Sequence, residues 1–96
     1  MEISGEVKFT DALRVETKIS GKVVSDSGSL VVGEKGHLQA TIEVGAIEVL
    51  GTVEGTITAK YKVLIRAGGR VTGEIFTPDL HIEHGAYFEG KCRVAV

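Results

Sequence analysis

The chain has 96 residues, 43% of them apolar and 25% charged, with 11 Lys and Arg against 13 Asp and Glu for a net charge of −2. That length holds one domain over residues 1–96 and no second core. The charge leaves no basic footprint for nucleic acid or anionic lipid, and no apolar run approaches the ~18 residues of a membrane helix.

A single cysteine excludes a disulfide framework. The first residues show no basic start followed by an apolar run, so the expected compartment is the cytoplasm. Glycine occurs 13 times and proline once, in a chain rich in Val, Ile and Thr. That mixture favours strands with frequent tight turns and disfavours helices.

The first predicted strand is ISGEV at residues 3–7, and the second is LRV at 13–15. The pair then recurs down the chain. ISGKV at 19–23 is followed by LVV at 30–32, and LQATI at 38–42 by IEV at 47–49. VEGTI at 53–57 is followed by VLI at 63–65, VTGEI at 71–75 by LHI at 80–82, and FEGKC at 88–92 closes the series. The five-residue unit steps by 16, 19, 15, 18 and 17 residues, and the three-residue unit by 17, 17, 16 and 17.

The links between the units differ in length by two residues. Three residues separate Val15 from Ile19 and Val49 from Val53, while five separate Val32 from Leu38, Ile65 from Val71 and Ile82 from Phe88. In a strand a one-residue slip turns every side chain over, whereas two residues restore the face. The longer links carry turn residues, as GEKG at 33–36, AGG at 67–69 and HG at 84–85.

A period near 17 with short strands predicts an all-β, single-stranded β-solenoid of about six coils sharing one core. At ~4.8 Å per coil the rod is roughly 25–30 Å long. The pattern places Leu13, Val15, Ile19, Gly21 and Val23 inward in one coil, and Leu30, Val32, Leu38, Ala40 and Ile42 in the next. Arg14, Lys22, Glu48 and Glu54 alternate outward. Gly5, Gly21, Ala40, Gly55, Gly73 and Gly90 form a column of small residues. The expected reason is lack of room in a narrow interior, because a positive φ at every member would strain Ala40.

Residues that carry chemistry are scarce. His37, His81 and His84 read as surface histidines, with no third ligand or convergent pocket for a metal. Cys92 occupies the place held by Val7, Val23, Ile42, Ile57 and Ile75, so it reads as a small core hydrophobe. No phosphate loop is present. The sequence thus predicts no catalytic residue, cofactor or metal. Val24, Val31, Leu64 and Phe76 are outward and apolar, and Val31, Leu64 and Phe76 are the candidates for a lateral contact.

No polar cap closes either end of the repeat array. The N-terminal face offers Ile3, Val7 and Phe9, and the C-terminal face offers Phe88, Cys92 and Val94, with Val96 continuing the alternation. Open ends of a solenoid are templates for another chain. Stacking the last coil of one copy on the first coil of the next, head-to-tail, is a heterologous contact that grows into a filament.

Residues 13–23 (LRVETKISGKV), 28–36 (GSLVVGEKG) and 77–92 (TPDLHIEHGAYFEGKC) give the chain its resemblance to the bactofilins, bacterial polymer-forming cytoskeletal proteins. The resemblance covers essentially the whole chain. It implies a right-handed, triangular β-helix that forms filaments without nucleotide. It also implies a scaffold for cell shape or for polar or envelope organisation, with self-association and envelope or polar clients as partners. The implied location is the cytoplasmic cytoskeleton, including the inner face of the membrane. Two departures stand out: the flanking tails common in the family are missing, so membrane attachment is not evident, and Ala40 replaces a glycine. The competing readings are a hexapeptide-repeat acyltransferase, whose six-residue phase is lost within each five-residue unit, and a glycan-binding β-helix, disfavoured by few aromatics.

Overall fold

The computed structural model describes residues 2–94, with side-chain surroundings for residues 4–93. These residues form nine strands: β1 (Glu2–Lys8), β2 (Ala12–Val15), β3 (Lys18–Val24), β4 (Ser29–Val32), β5 (His37–Val49), β6 (Thr52–Ile65), β7 (Arg70–Thr77), β8 (Leu80–Ile82) and β9 (Tyr87–Val94). Every pairing is parallel. One side of the rod stacks β1, β3, β5, β6, β7 and β9, and a second stacks β2, β4, β5, β6 and β8. Six levels on one side and five on the other make five full turns and the start of a sixth. The described residues measure 31 × 26 × 20 Å.

The repeat predicted from the sequence is the register of the sheet. Ile3, Ile19, Leu38, Val53, Val71 and Phe88 align as one column, and Val7, Val23, Ile42, Ile57, Ile75 and Cys92 as another. Leu13, Leu30, Ile47, Val63 and Leu80 form a third. Members away from the ends, such as Val23, Leu38, Val53 and Ile75, are fully buried. Each column buries its apolar side chains only because the coils above and below cover it. Among the described residues no buried side-chain N or O atom lacks a hydrogen-bond partner.

The variable links lie at one corner. Gly36 N donates to Gly33 O at 2.9 Å, Gly69 N to Arg66 O at 2.8 Å, and Ala86 N to Glu83 O at 3.0 Å. These tight turns absorb the two extra residues of the longer links without disturbing the strands that follow.

The column of small residues departs from expectation. Gly21, Gly55 and Gly90 are exposed rather than inward, and the five glycines adopt φ between 113° and 134°. Ala40, 7% exposed, takes an ordinary φ with its methyl inside. The glycine members of the column are therefore chiefly conformational: their positive φ interrupts the pleat of the strand, a conformation that a side chain would strain. Space matters too, but along the rod rather than within it. A Cβ on Gly73 would run into the carbonyl oxygen of Gly55 one coil earlier, and a Cβ on Gly55 into that of Ala40.

Gly73→Leu and Gly55→Leu are thus expected to lower the thermal midpoint through both strain and backbone collision. A loss of ~1–3 kcal/mol or more is of the size seen for overpacking and for a disfavoured φ. Thermal unfolding followed by circular dichroism reads the effect, and unchanged midpoints contradict it.

Candidate assembly surfaces at the two ends of the rod

The coil geometry leaves two sheet edges without partners among the described residues. At the N-terminal end β1 pairs only with β3, and β2 only with β4. At the C-terminal end β9 pairs only with β7, and β8 only with β6. Each end therefore presents a row of strand N–H and C=O groups running across the rod, ready for an added strand.

The apolar columns end at the same places. Val7, Phe9 and Leu13 at one end, and Leu80, Ala86, Phe88 and Cys92 at the other, are half-buried against the core. Their column mates one level inward are covered: Val71 beside Phe88 and Ile75 beside Cys92 are 0% exposed. Ile82 is 45% exposed although Ile65, its neighbour in register, is 0%. The chemistry within a column is constant, so the exposure at the end reflects the missing next coil.

The structure brings Val7 and Phe9 together at one end and Phe88 and Cys92 at the other. Ile3 and Val94 lie in the terminal strands, with their side chains outside the described residues, and Val96 lies outside them altogether. Leu13, Leu80, Ile82 and Ala86 join these surfaces but were not singled out from the sequence. The signal was present in the three-residue unit: Leu13 opens its column, and Leu80 and Ile82 close theirs. Leu13 is only half-buried, less inward than its pattern suggested, because no coil precedes it.

The C-terminal rim is polar and aromatic. Tyr87, 44% exposed, donates from its hydroxyl to Glu89 at 2.6 Å, and the Arg70 guanidinium lies 5.0 Å from its ring centroid. The hydrogen bond and negative charge of Glu89 push the phenol above its ordinary pKa. Arg93 stacks over Phe76 at 5.8 Å.

The proposed lateral residues do not form one strip. Val31 and Leu64 share a face, on either side of Glu48, and help line a hollow of about 180 Å³. Phe76 lies on another face, in register with Thr58 and Arg93. The histidines sit in surface pairs: His37 Nε2 is 3.0 Å from Glu54, and His81 Nε2 is 3.0 Å from Asp79. Hydrogen bonds with His37 and Gln39 hold the Glu54 carboxyl below its usual range. Among the described residues no three His, Cys, Asp or Glu side chains gather as metal ligands, and no helix is long and apolar enough to cross a membrane.

Comparison with known proteins places this geometry in context. The family profile of the bactofilins, described as polymer-forming cytoskeletal, matches residues 1–93. Bactofilin BacO of Myxococcus xanthus (strain DK1622) is 36% identical over 89 residues, covering 93% of this chain and 70% of that protein. Bactofilin BacP of the same organism is 33% identical over 89 residues, covering 93% of this chain but 37% of its own length. Among solved structures, the cryo-EM reconstruction of Thermus thermophilus bactofilin double helical filaments superposes with a TM-score of 0.92 at 27% identity, covering 99% of this chain and 93% of that one.

Proposed function

The chain belongs to the bactofilin family of polymer-forming cytoskeletal proteins, and from that premise we propose that it is a structural subunit polymerising end to end through its first and last coils. The observation that carries this reading is the pair of open ends, where columns buried throughout the rod become exposed. One more coil at either end buries that apolar surface, at ~25 cal/mol per Å², and pairs an open row of strand groups. The polymerisation surface is Ile3, Val7, Phe9 and Leu13 against Phe88, Cys92, Val94, Leu80 and Ile82. Its role is a cytoplasmic scaffold for cell shape or for polar or envelope clients, including at the inner face of the membrane. We read it as structural rather than catalytic.

Both driving terms come from burial and strand pairing, so assembly needs no energy source. Light scattering of the purified protein is expected to be the same with ATP, GTP, magnesium or a chelator. Dependence on any one of them contradicts the reading.

The ends admit two orders of joining. Head-to-tail stacking continues the columns of the six-level side, where its register sets Lys91 beside Glu6 and Arg93 beside Lys8 of the next copy. Joining of like ends about a twofold axis at Gly90 instead sets Glu89 opposite Lys91 and Tyr87 opposite Arg93, so each order offers an opposite-charge pair at the C-terminal coil. Cysteine pairs in a Cys92→Ala background separate the two. Ser4→Cys with Glu89→Cys gives an oxidised ladder only head-to-tail, and Glu89→Cys with Lys91→Cys gives linked dimers only between like ends.

A further inference from the structure

The two sides of the rod end at different heights. The side that holds β9 has six levels, and the side that holds β8 has five. At the N-terminal end the sides are flush, because β1 and β2 belong to one coil and cover β3 and β4 of the next. Whatever docks on β9 therefore leaves the level beside it, above β8, without a strand among the described residues. A second copy stacked head-to-tail sets its β1 on β9, and its β2 then lies one level beyond the open one. Joining of like ends sets a second β9 on the first, and the partner's β8 lies beyond that strand. Residues 1–96 do not supply the strand either. Five to seven residues step from the Val7 column to the Leu13 column, as from Ile42 to Ile47 and from Val23 to Leu30. The same step from Cys92 puts the place that follows Leu80 at 97–99.

The edge below this level is shaped for a strand. Val63 N donates to Asp79 O at 2.9 Å, and Glu83 N donates to Ile65 O at 2.9 Å. Residues 79 and 83 thus face β6, and by the alternation of a strand so does 81. Leu80 and Ile82 turn their N–H and C=O groups the other way, toward the open level. Their side chains end two columns whose inner members, Val63 and Ile65, are 0% exposed, while Ile82 is 45% exposed and Leu80 half-buried. The polar neighbours are already engaged, His81 with Asp79 and Glu83 with Arg66. Recognition here therefore rests on strand pairing and on two apolar seats. Between copies stacked head-to-tail the level is one strand wide, because β2 of the next copy lies two strand spacings, ~9.6 Å, from β8.

We propose that this level receives an extended segment of another protein, parallel to β8, with two apolar side chains separated by one residue. The contact is strand addition at a sheet edge. The units at 30–32, 47–49, 63–65 and 80–82 each add to the unit one coil earlier in the same way. The partner is held beside the contact made by β9 and not in place of it, so Leu80 and Ile82 face the next copy across the added strand. The far boundary of the site rests on the end-to-end reading, whereas the open edge of β8 belongs to the single chain.

The probe is a fluorescein-labelled peptide with the sequence of residues 45–51, GAIEVLG, whose Ile47 and Val49 stand in these two columns. Its control carries Ile47→Asp and Val49→Asp. Fluorescence anisotropy with the whole chain is expected to show saturable binding, about tenfold or more tighter for the first peptide, the discrimination of a 1.4 kcal/mol difference. Ile82→Arg in the protein is expected to remove that advantage, and Glu34→Gln, in the turn after β4, to leave it unchanged. Hydrogen exchange read by mass spectrometry should show added protection in the segment that holds β8, with polymer length unaltered. Equal affinity for the two peptides overturns the proposal, as does protection confined to β1 and β2. Shorter polymers with β9 protected show a competitor for the end contact and overturn it too. Phe88→Arg, assayed for polymer length alone, decides the end-to-end reading separately: peptide binding at β8 by a wild-type chain that forms no polymer refutes that reading and supports this one.

Discussion

Val49→Arg is expected to leave no folded protein. Val49 is 0% exposed, in register with Val32 and Ile65, which are also 0% exposed. A guanidinium there has no buried carboxylate to pair with, and coils stacked on both sides deny it a path to water. An unpaired buried charge costs several kcal/mol, against a total stability of about 5–15 kcal/mol for a typical domain. Loss is expected to spread beyond one coil, because each coil is buried only by its neighbours. Far-UV circular dichroism should lose the β signal, and the protein should be recovered as aggregate. A soluble variant with a normal spectrum and an unchanged thermal midpoint would mean that the column is not buried as described.

Phe88→Arg introduces the same charge with the opposite consequence. Phe88 belongs to the last level of its column and is only half-buried, so in the single chain the new guanidinium can reach water past the open end. In a polymer the same position is closed by the next coil, and the charge is desolvated without a partner. Several kcal/mol then fall on the contact rather than on the fold, enough to shift an association constant by ~10³ or more at 1.4 kcal/mol per factor of ten. Sedimentation velocity should show a monomer with wild-type circular dichroism. Ile82→Arg is the companion variant: its side chain is already 45% exposed, so it threatens the fold less and the same end equally. Filaments of normal length from both variants mean that polymerisation does not run through the C-terminal coil.

Much of this architecture was legible in the sequence because a parallel solenoid converts sequence period directly into register. Val15, Val32, Val49 and Ile65 are spaced by the length of a coil, so finding the period found the column. The links after Val32 and Ile65 could vary because their two extra residues turn back on themselves at a corner. The glycine column differs from the sequence expectation for a physical reason. Ala40, with its methyl inside and its φ ordinary, satisfies an inward-facing rule that its five glycine neighbours do not follow. A single permissive member concealed the left-handed conformation of the rest. Leu80 and Ile82 do not stand out in the sequence because they repeat the residue types of buried column mates, and only the missing neighbour makes them different. The separation of Phe76 from Val31 and Leu64 depends on which side of the rod each occupies. Outward alternation says that a side chain leaves the core, not in which direction.

If the strands of one copy continue the strand stack of the next, the polymer axis is the axis of the rod. Electron cryomicroscopy of the purified protein in plain buffer tests it most directly. Filaments are expected to show a strong spacing of about 4.8 Å along the filament axis and a subunit rise near six such steps, about 29 Å, or twice that as the repeat if like ends join. Filaments whose 4.8 Å spacing runs across the axis, or discrete oligomers under conditions where the chain is folded, would contradict it.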